Sequence, residues 1–421
     1  MTIETSMVAS RDVLMRLFGR AVAEVQPERC LLSHLPPPPR GRTVVVGAGK
    51  AAATMARAVE TRLGGEIEGL VVTRYGYAVP TERIAVVEAS HPLPDQAGQK
   101  AAARMLEMVS GLGPDDLVLC LLSGGGSALL ALPAPGLRLA DKRATTDSLL
   151  RCGATISEIN AVRKQLSAIK GGRLAAAAAP APTLTLMISD VPGDDPAVIA
   201  SGPTVAHPPS LVGAEEVLAK YAITPPPAVA RHLRAGADKA LGPGDPRLAR
   251  ARYVIVASAN EALAAATEEA RVAGYSPLML GDDIEGESRE VARAHAALAL
   301  DHAAQGRKTA LLSGGETTVT LTGSGRGGPN AEYALALCLA LDGAPSIAAL
   351  ACDTDGIDGS EDNAGAVVAS DSLARMHRAG IDAKARLTNN DAYGAFAAIG
   401  DLVITGPTYT NVNDFRAILV G

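Results

Sequence analysis

The sequence predicts an α/β protein of two domains, built largely on parallel sheets covered by helices on both faces. Three observations carry this. Short apolar, β-branched runs recur along the 421 residues, and most end in a turn of Gly, Asp, Ser or Asn. Ala-rich stretches with helical periodicity lie between several of these runs. A Pro/Gly-rich segment, 224–252, interrupts the alternation past the middle. Strands that alternate with helices pair in parallel, and such sheets are buried on both faces.

The strands are read in order. Residues 43–46 lead into Gly47-Ala48-Gly49-Lys50, and 69–73 into Arg74. Residues 117–122 lead into Ser123-Gly124-Gly125-Gly126-Ser127, and 183–189 into Asp190-Val191-Pro192-Gly193-Asp194-Asp195. Residues 253–257, 309–312, 346–351 and 402–405 follow, the middle two ending in Ser313-Gly314-Gly315-Glu316 and Cys352-Asp353-Thr354-Asp355. Helices are expected at 51–63, 96–109, 261–273, 287–305 and 331–341. Ligands of such sheets bind outside the carboxyl ends of the strands, where these polar clusters fall. The Pro225-Pro226-Pro227 run and Leu241-Gly242-Pro243-Gly244 set the boundary between domains 1–240 and 241–421, with a C-terminal tail that could return to the first domain. A Leu-Leu-Ser-Gly-Gly echo at 121–125 and 311–315 fits two halves.

Composition narrows the function. Hydrophobic residues are 48%, with no Trp and three Phe, so the core is built from Ala, Leu, Val and Ile. The net charge is −6 and no basic cluster stands out, which argues against nucleic acid or an anionic membrane as partner. Five scattered cysteines without a CxxC pair support neither a disulfide framework nor a zinc site. Cys120 and Cys338 sit in apolar runs and read as inert core residues. The N-terminus lacks the pattern of a signal peptide, and no run of ~18 apolar residues occurs. A cytoplasmic protein is expected.

Five motifs carry chemistry. Gly47-x-Gly49-x-x-Ala52 follows a strand and opens a helix, as a dinucleotide turn does. The next strand ends in Arg74 rather than an acidic residue, so a nicotinamide ribose contact is not supported. Lys50 in the first helical turn opposes the helix dipole, a cost that a bound phosphate or carboxylate would offset. Ser123-Gly124-Gly125-Gly126-Ser127 can bring backbone amides close to an anion. Asp190 closes a buried strand and suits Mg²⁺, whereas Asp195 reads as a helix cap. Arg326, flanked by glycines in 323–328, offers a fork that matches phosphate. Asp353-Thr354-Asp355-Gly356-Ile357-Asp358-Gly359 lacks the Glu of a calcium loop and reads as a Mg²⁺ or ribose contact. A polar C-terminal loop holds Asn411. His91, between Ser90 and Pro92, reads as a structural or substrate-positioning residue.

Together these stretches resemble the glycerate 2-kinase family, whose C-terminal part is called the MOFRL domain. The matching text includes VVVGAGKAAATMA, ASHPLPDQAG, LLSGGGSALL, INAVRKQLSAIKGGRLA, ISDVPGDDPAVIASGPT, LLSGGETTVT, GRGGPNAEYALALCLAL, DTDGIDG and GPTYTNVND, in order over residues 43–414. The resemblance implies a Rossmann-like N-terminal domain, a smaller α/β MOFRL domain and an active site in the cleft between them. It implies ATP-dependent phosphorylation of D-glycerate at its 2-hydroxyl, with Mg²⁺; a homodimer is a separate expectation. Lys50 and Arg326 match the residues regarded as catalytic in that family. Three positions depart from its pattern: Gln165 for His, Tyr409 for Gly, and Ser360-Glu361 for Pro-Thr.

The expected site therefore comprises Lys50, Arg326 and Asp190 as catalytic groups, and Asp190 and Asp353 as Mg²⁺ ligands. Gly47, Gly49, Ser123, Gly124, Gly125, Gly126, Ser127, Glu316, Asn330, Asp353 and Asn411 are the expected binding residues. The alternatives are an NAD(P)H-dependent hydroxypyruvate reductase, which the glycine pattern encourages, and a non-catalytic small-molecule sensor.

Overall fold

The structure, a computed structural model, describes residues 3–207, 213–236 and 241–421. The chain divides into two compact units: Cys30–Ser189 with Asp194–Val256, and Met1–Arg29 with Asp190–Gly193 and Ala257–Gly421. This differs from a single cut at 240/241, which falls beside 237–240, outside the described residues. The N-terminal helix Ile3–Glu24 belongs with the C-terminal segment. Leu14, Leu17, Phe18 and Ala21 form a buried stripe on it, and the Phe18 ring lies 5.8 Å from that of Phe415. An apolar stripe says that a helix must be covered, but not by which sheet.

In the first unit, β1 (Thr43–Ala48), β2 (Ile67–Arg74), β3 (Ile84–Ala89), β4 (Leu117–Leu122), β5 (Thr183–Ile188) and β6 (Ala251–Ala257) form one sheet in the order β3-β2-β1-β4-β5-β6. The pairs from β3 to β5 are parallel. Every residue of β1 and β4 is buried, which is why both read as unbroken apolar runs. The helix expected at 96–109 is Gln96–Val109, and the Asp95 carboxylate caps it by accepting from Gly98 N at 3.0 Å. The β3 edge strand, half-exposed, went unread.

The second unit holds β7 (Ser276–Glu287), β8 (Thr309–Thr318), β9 (Ile347–Asp353), β10 (Gly365–Val368), β11 (Leu402–Val403) and β12 (Asp414–Val420), in the order β11-β10-β9-β12-β8-β7. The expectation of a largely parallel sheet fails here. Only β7 and β8 pair in parallel; β12 runs antiparallel to both β8 and β9, and β10 antiparallel to β9 and β11. The helix Pro329–Leu341 does return the chain parallel to β8, but the last strand slots between β8 and β9. The short return through 354–364 then forces β10 antiparallel, since a parallel crossover needs a dozen or more residues. Among the described residues no helix is long and apolar enough to cross a membrane.

Candidate active site

In the first unit, the turn after β1 is braced against the turn after β4. Lys50 N–H donates to Gly124 O at 2.8 Å and Ala51 N–H to Ser123 Oγ at 3.0 Å, while Gly49 N–H donates to Val72 O at 3.0 Å. Gly49, at φ +144°, leaves no room for a Cβ against Ser123. Gly47 and Ser123 are buried inside this junction. The amides of 49–51 and the Ser123 hydroxyl are thus occupied by the fold, and the Lys50 side chain is half-buried. Gly125 caps the short helix Gly126–Leu129 in the left-handed region at φ +80°, where a Cβ would stand 3.0 Å from the His91 ring. Ser127 Oγ lies 2.8 Å from Ser201 Oγ.

Gly125, Ser127 and His91 open onto a cavity of about 350 Å³ within this unit, whose walls include Lys142, Arg163 and Lys170. Sequence reading missed these cations. The helices Leu139–Arg151 and Ile156–Gln165 and the turn after them carry one of the three each, so no run of basic residues marks them. Lys142 is 8% and Lys170 2% exposed. Lys170 Nζ donates to Ser127 O at 2.9 Å and Ala200 O at 3.3 Å. Burial, then Arg163 and Arg173, push Lys142 down to about 7, and burial with Lys142, Arg163 and Lys164 lowers Lys170 well below the usual lysine range. Among the described residues no carboxylate pairs with Lys142 or Lys170. The signal in the sequence was the chain text Val162-Arg163-Lys164 and Ile169-Lys170, where cations alternate with apolar residues on core-facing turns.

In the second unit, the C-terminal loop gathers round Asp190. Asn411 Nδ2 donates to Asp190 Oδ2 at 3.3 Å and the Asn413 amide to Asp190 O. Asp195, which belongs to the first unit, caps the turn at 196–199, its Oδ1 accepting from Ala197 N at 2.8 Å. The same loop is tied to the acidic turn after β9: Thr354 N–H and Oγ1–H both donate to Asn413 O, at 3.0 and 2.7 Å. Asp353 pairs in register with Asp414, next to Asn413, so Asp190 and Asp353 lie at one end of this sheet. Both are half-buried carboxylates, a donor set that suits a hard cation whose remaining ligands are phosphates and water. Among the described residues no three of His, Cys, Asp and Glu form a metal-holding group. Tyr409, the bulky departure, sits at φ +62°. A left-handed backbone explains why Gly suits that position.

Arg326 is exposed but not idle. Its guanidinium stacks 4.8 Å from the Tyr393 ring centroid and pairs with Glu361 at 3.2 Å. Asn330, expected at a nucleotide, is instead fully buried: its Nδ2 donates to Asp414 Oδ1 at 2.6 Å. Asp358 accepts from Asn330 N at 3.0 Å and Ala331 N at 2.7 Å, capping the helix Pro329–Leu341. The Pro-Asn pair and the last Asp of the acidic turn are therefore one helix cap. Glu316 lies exposed within β8, opposite Glu285 of β7, rather than in a loop. Strand β8 thus runs on through the turn expected at 313–316, and its pairing with β7 shifts register between Met279 and Ile284.

Comparison with known proteins agrees with this architecture. Residues 13–234 match a family described as a domain of unknown function, DUF4147, and residues 309–414 match the MOFRL family. An Agrobacterium vitis protein named as a hydroxypyruvate reductase is 53% identical over 98% of this chain and 95% of its own. The glycerate 2-kinase of Pyrococcus horikoshii is 36% identical over 97% of each chain. Among solved structures, the glycerate kinase of Thermotoga maritima superposes with a TM-score of 0.88 at 35% identity, over 97% of this chain and 99% of that one. The chain, with its parallel β1–β5 core and its C-terminal MOFRL sheet, belongs to the glycerate kinase family.

Proposed function

We propose that this protein transfers the γ-phosphoryl group of ATP to the 2-hydroxyl of D-glycerate, giving 2-phosphoglycerate and ADP. The observation that carries the reading is full-length likeness to glycerate kinases in sequence and fold. The reductase name on the Agrobacterium relative has a physical counter-argument. In a dinucleotide fold, the amides of the glycine turn receive a pyrophosphate. Here Lys50 and Ala51 give theirs to Gly124 and Ser123. Arg74, where an acidic residue would hold the ribose, stacks over Tyr77 at 5.4 Å.

Phosphoryl transfer asks little covalent chemistry of the protein; positioning and charge neutralisation dominate. Lys50 and Arg326 are the cations we assign to phosphoryl oxygens. Asp190, oriented by Asn411 and Asn413, holds Mg²⁺ or accepts the hydroxyl proton. An acidic limb in the pH profile of kcat that Asp190→Asn removes assigns it the proton. Asp190 and Asp353 are the residues that would hold Mg²⁺, which when bound would supply positive charge against the phosphates. Five free cysteines fit a reducing compartment such as the cytoplasm.

Purified protein with D-glycerate, ATP and Mg²⁺ is expected to release ADP and 2-phosphoglycerate, resolved from the 3-isomer by a coupled assay. NAD(P)H oxidation with hydroxypyruvate, without ADP release from glycerate, overturns the reading.

A further inference from the structure

The cavity of the first unit has more positive charge than its own walls can neutralise. Lys142 projects from the helix Leu139–Arg151, Arg163 from the helix Ile156–Gln165, and Lys170 from the turn beyond. Arg143 and Asp147 share the Lys142 helix and reach the same cavity, and His91 faces it from the loop after β3. Lys164, behind the cavity, contacts His207 Nδ1 at 3.1 Å, and Arg173 donates to the carbonyls of Lys164 and Lys170 at 3.0 and 2.8 Å. His232, on the helix packed beside these, contacts Gln165 O at 2.9 Å. Among the described residues, Asp147 is the one carboxylate lining the cavity.

Water is the usual refuge of a lysine, and a buried lysine without a counter-ion is rare. Apolar walls at Leu93, Leu139 and Leu150 lower the local dielectric, which strengthens both the mutual repulsion of the cations and their pull on an anion. We propose that this cavity is the subsite for the substrates' oxyanion, with Lys142, Arg163 and Lys170 as its ligands. Carboxylate and phosphate share that chemistry, so the hydroxy acid and the nucleotide are its two sources. The proposal rests on the phosphotransfer reading only for the identity of the anion.

A consequence separates it from a merely structural cluster. Unliganded, Lys142 sits near 7, because burial and its cationic neighbours disfavour the charged form. An anion reverses that balance, so Lys142 takes a proton from solvent as the anion binds at pH 8, and little or none at pH 6, where it already carries one.

The test is titration calorimetry of the full chain, with ADP and with D-glycerate separately, in two buffers of different ionisation enthalpy at pH 8 and pH 6. One probe is expected to bind with net proton uptake at pH 8 that shrinks at pH 6. Lys142→Met should weaken that probe at least ~10-fold and reduce the uptake, leaving the other probe within about twofold. The responsive probe names the source: ADP a phosphate, glycerate a carboxylate. At pH 6, where Lys142 carries its proton, the unliganded variant should melt no lower than wild type, since it loses an uncompensated buried charge. Binding without proton uptake, equal affinity of variant and wild type for both probes, or failure of both probes to bind wild type overturns the subsite. If ADP binds with proton uptake but no phosphate reaches glycerate, the phosphotransfer reading fails and the subsite stands.

Discussion

Two buried cations, one in each unit, are treated in opposite ways. Arg416 in β12 is 1% exposed and its charge is compensated: it pairs with Asp414, donates to Gly314 O at 2.8 Å and Thr317 Oγ1 at 3.1 Å, and lies 5.3 Å over the Tyr333 ring, while its Nε has no hydrogen-bond partner among the described residues. Lys142 in the first unit is nearly as buried, and among the described residues no carboxylate pairs with it; its cavity holds other cations and Asp147. A buried charge persists when something compensates it. For Arg416 the compensation is inside the fold; for Lys142 it has to come from outside. Burial of charge thus distinguishes a structural cation from one kept for a ligand, provided the partners are counted.

The largest effect that sharpens this contrast concerns Arg326, whose contacts to Tyr393 and Glu361 are exposed and weak. Arg326→Ala should lower kcat by at least ~10³-fold if the guanidinium stabilises the transferring phosphoryl group. An unchanged kcat removes it from the catalytic set. Next comes the helix cap. Asp358→Ala leaves two buried backbone amides without an acceptor and should destabilise the protein by roughly 2–4 kcal/mol in urea unfolding, with little change in KM.

Asp358 also sets a pH dependence. Burial, against the pull of its two amide donors, raises it to about 7, with Asp414 adding repulsion. The folded state therefore keeps a proton that the unfolded chain releases near pH 4. The stability this group contributes is fully present below that pH and is lost as pH rises through about 7. Compared with Asp358→Asn, wild type should lose stability from pH 4 to 7 in chemical unfolding; a relative gain over that range refutes the assignment.

Smaller effects test the exposed loops. Tyr409→Gly relieves a left-handed backbone and should change stability by no more than about 1 kcal/mol, since glycine's unfolded-state entropy opposes the gain. Glu361→Gln breaks an exposed ion pair and should shift unfolding by less than about 0.5 kcal/mol. A larger loss would mean that Glu361 holds more than Arg326.

Much of the architecture was legible because it is local. The runs at 43–46 and 117–122 are buried strands, and the helices expected at 51–63, 96–109 and 331–341 are Ala52–Arg62, Gln96–Val109 and Pro329–Leu341. Apolar period and the turn residues that bound it are properties of a short window. β12 escaped because a seven-residue strand at the chain end carries Asp414 and Arg416, which look like surface until their partners are known. Asn330 looked like a ligand residue for the reverse reason: its role as part of a buried polar network depends on Asp358 and Asp414, 28 and 84 residues away.

The sequence by itself determined the α/β class, most strands of the first sheet, the core of Ala, Leu, Val and Ile, and the motif-bearing turns at 47–50, 123–127, 190 and 326. Tertiary structure alone decided that residues up to Arg29 join the C-terminal unit, that the second sheet is mixed, and that Lys142, Arg163 and Lys170 share one cavity. Pattern and turn chemistry act between neighbours in the chain. Charge compensation acts between neighbours in space, and only the fold says which those are.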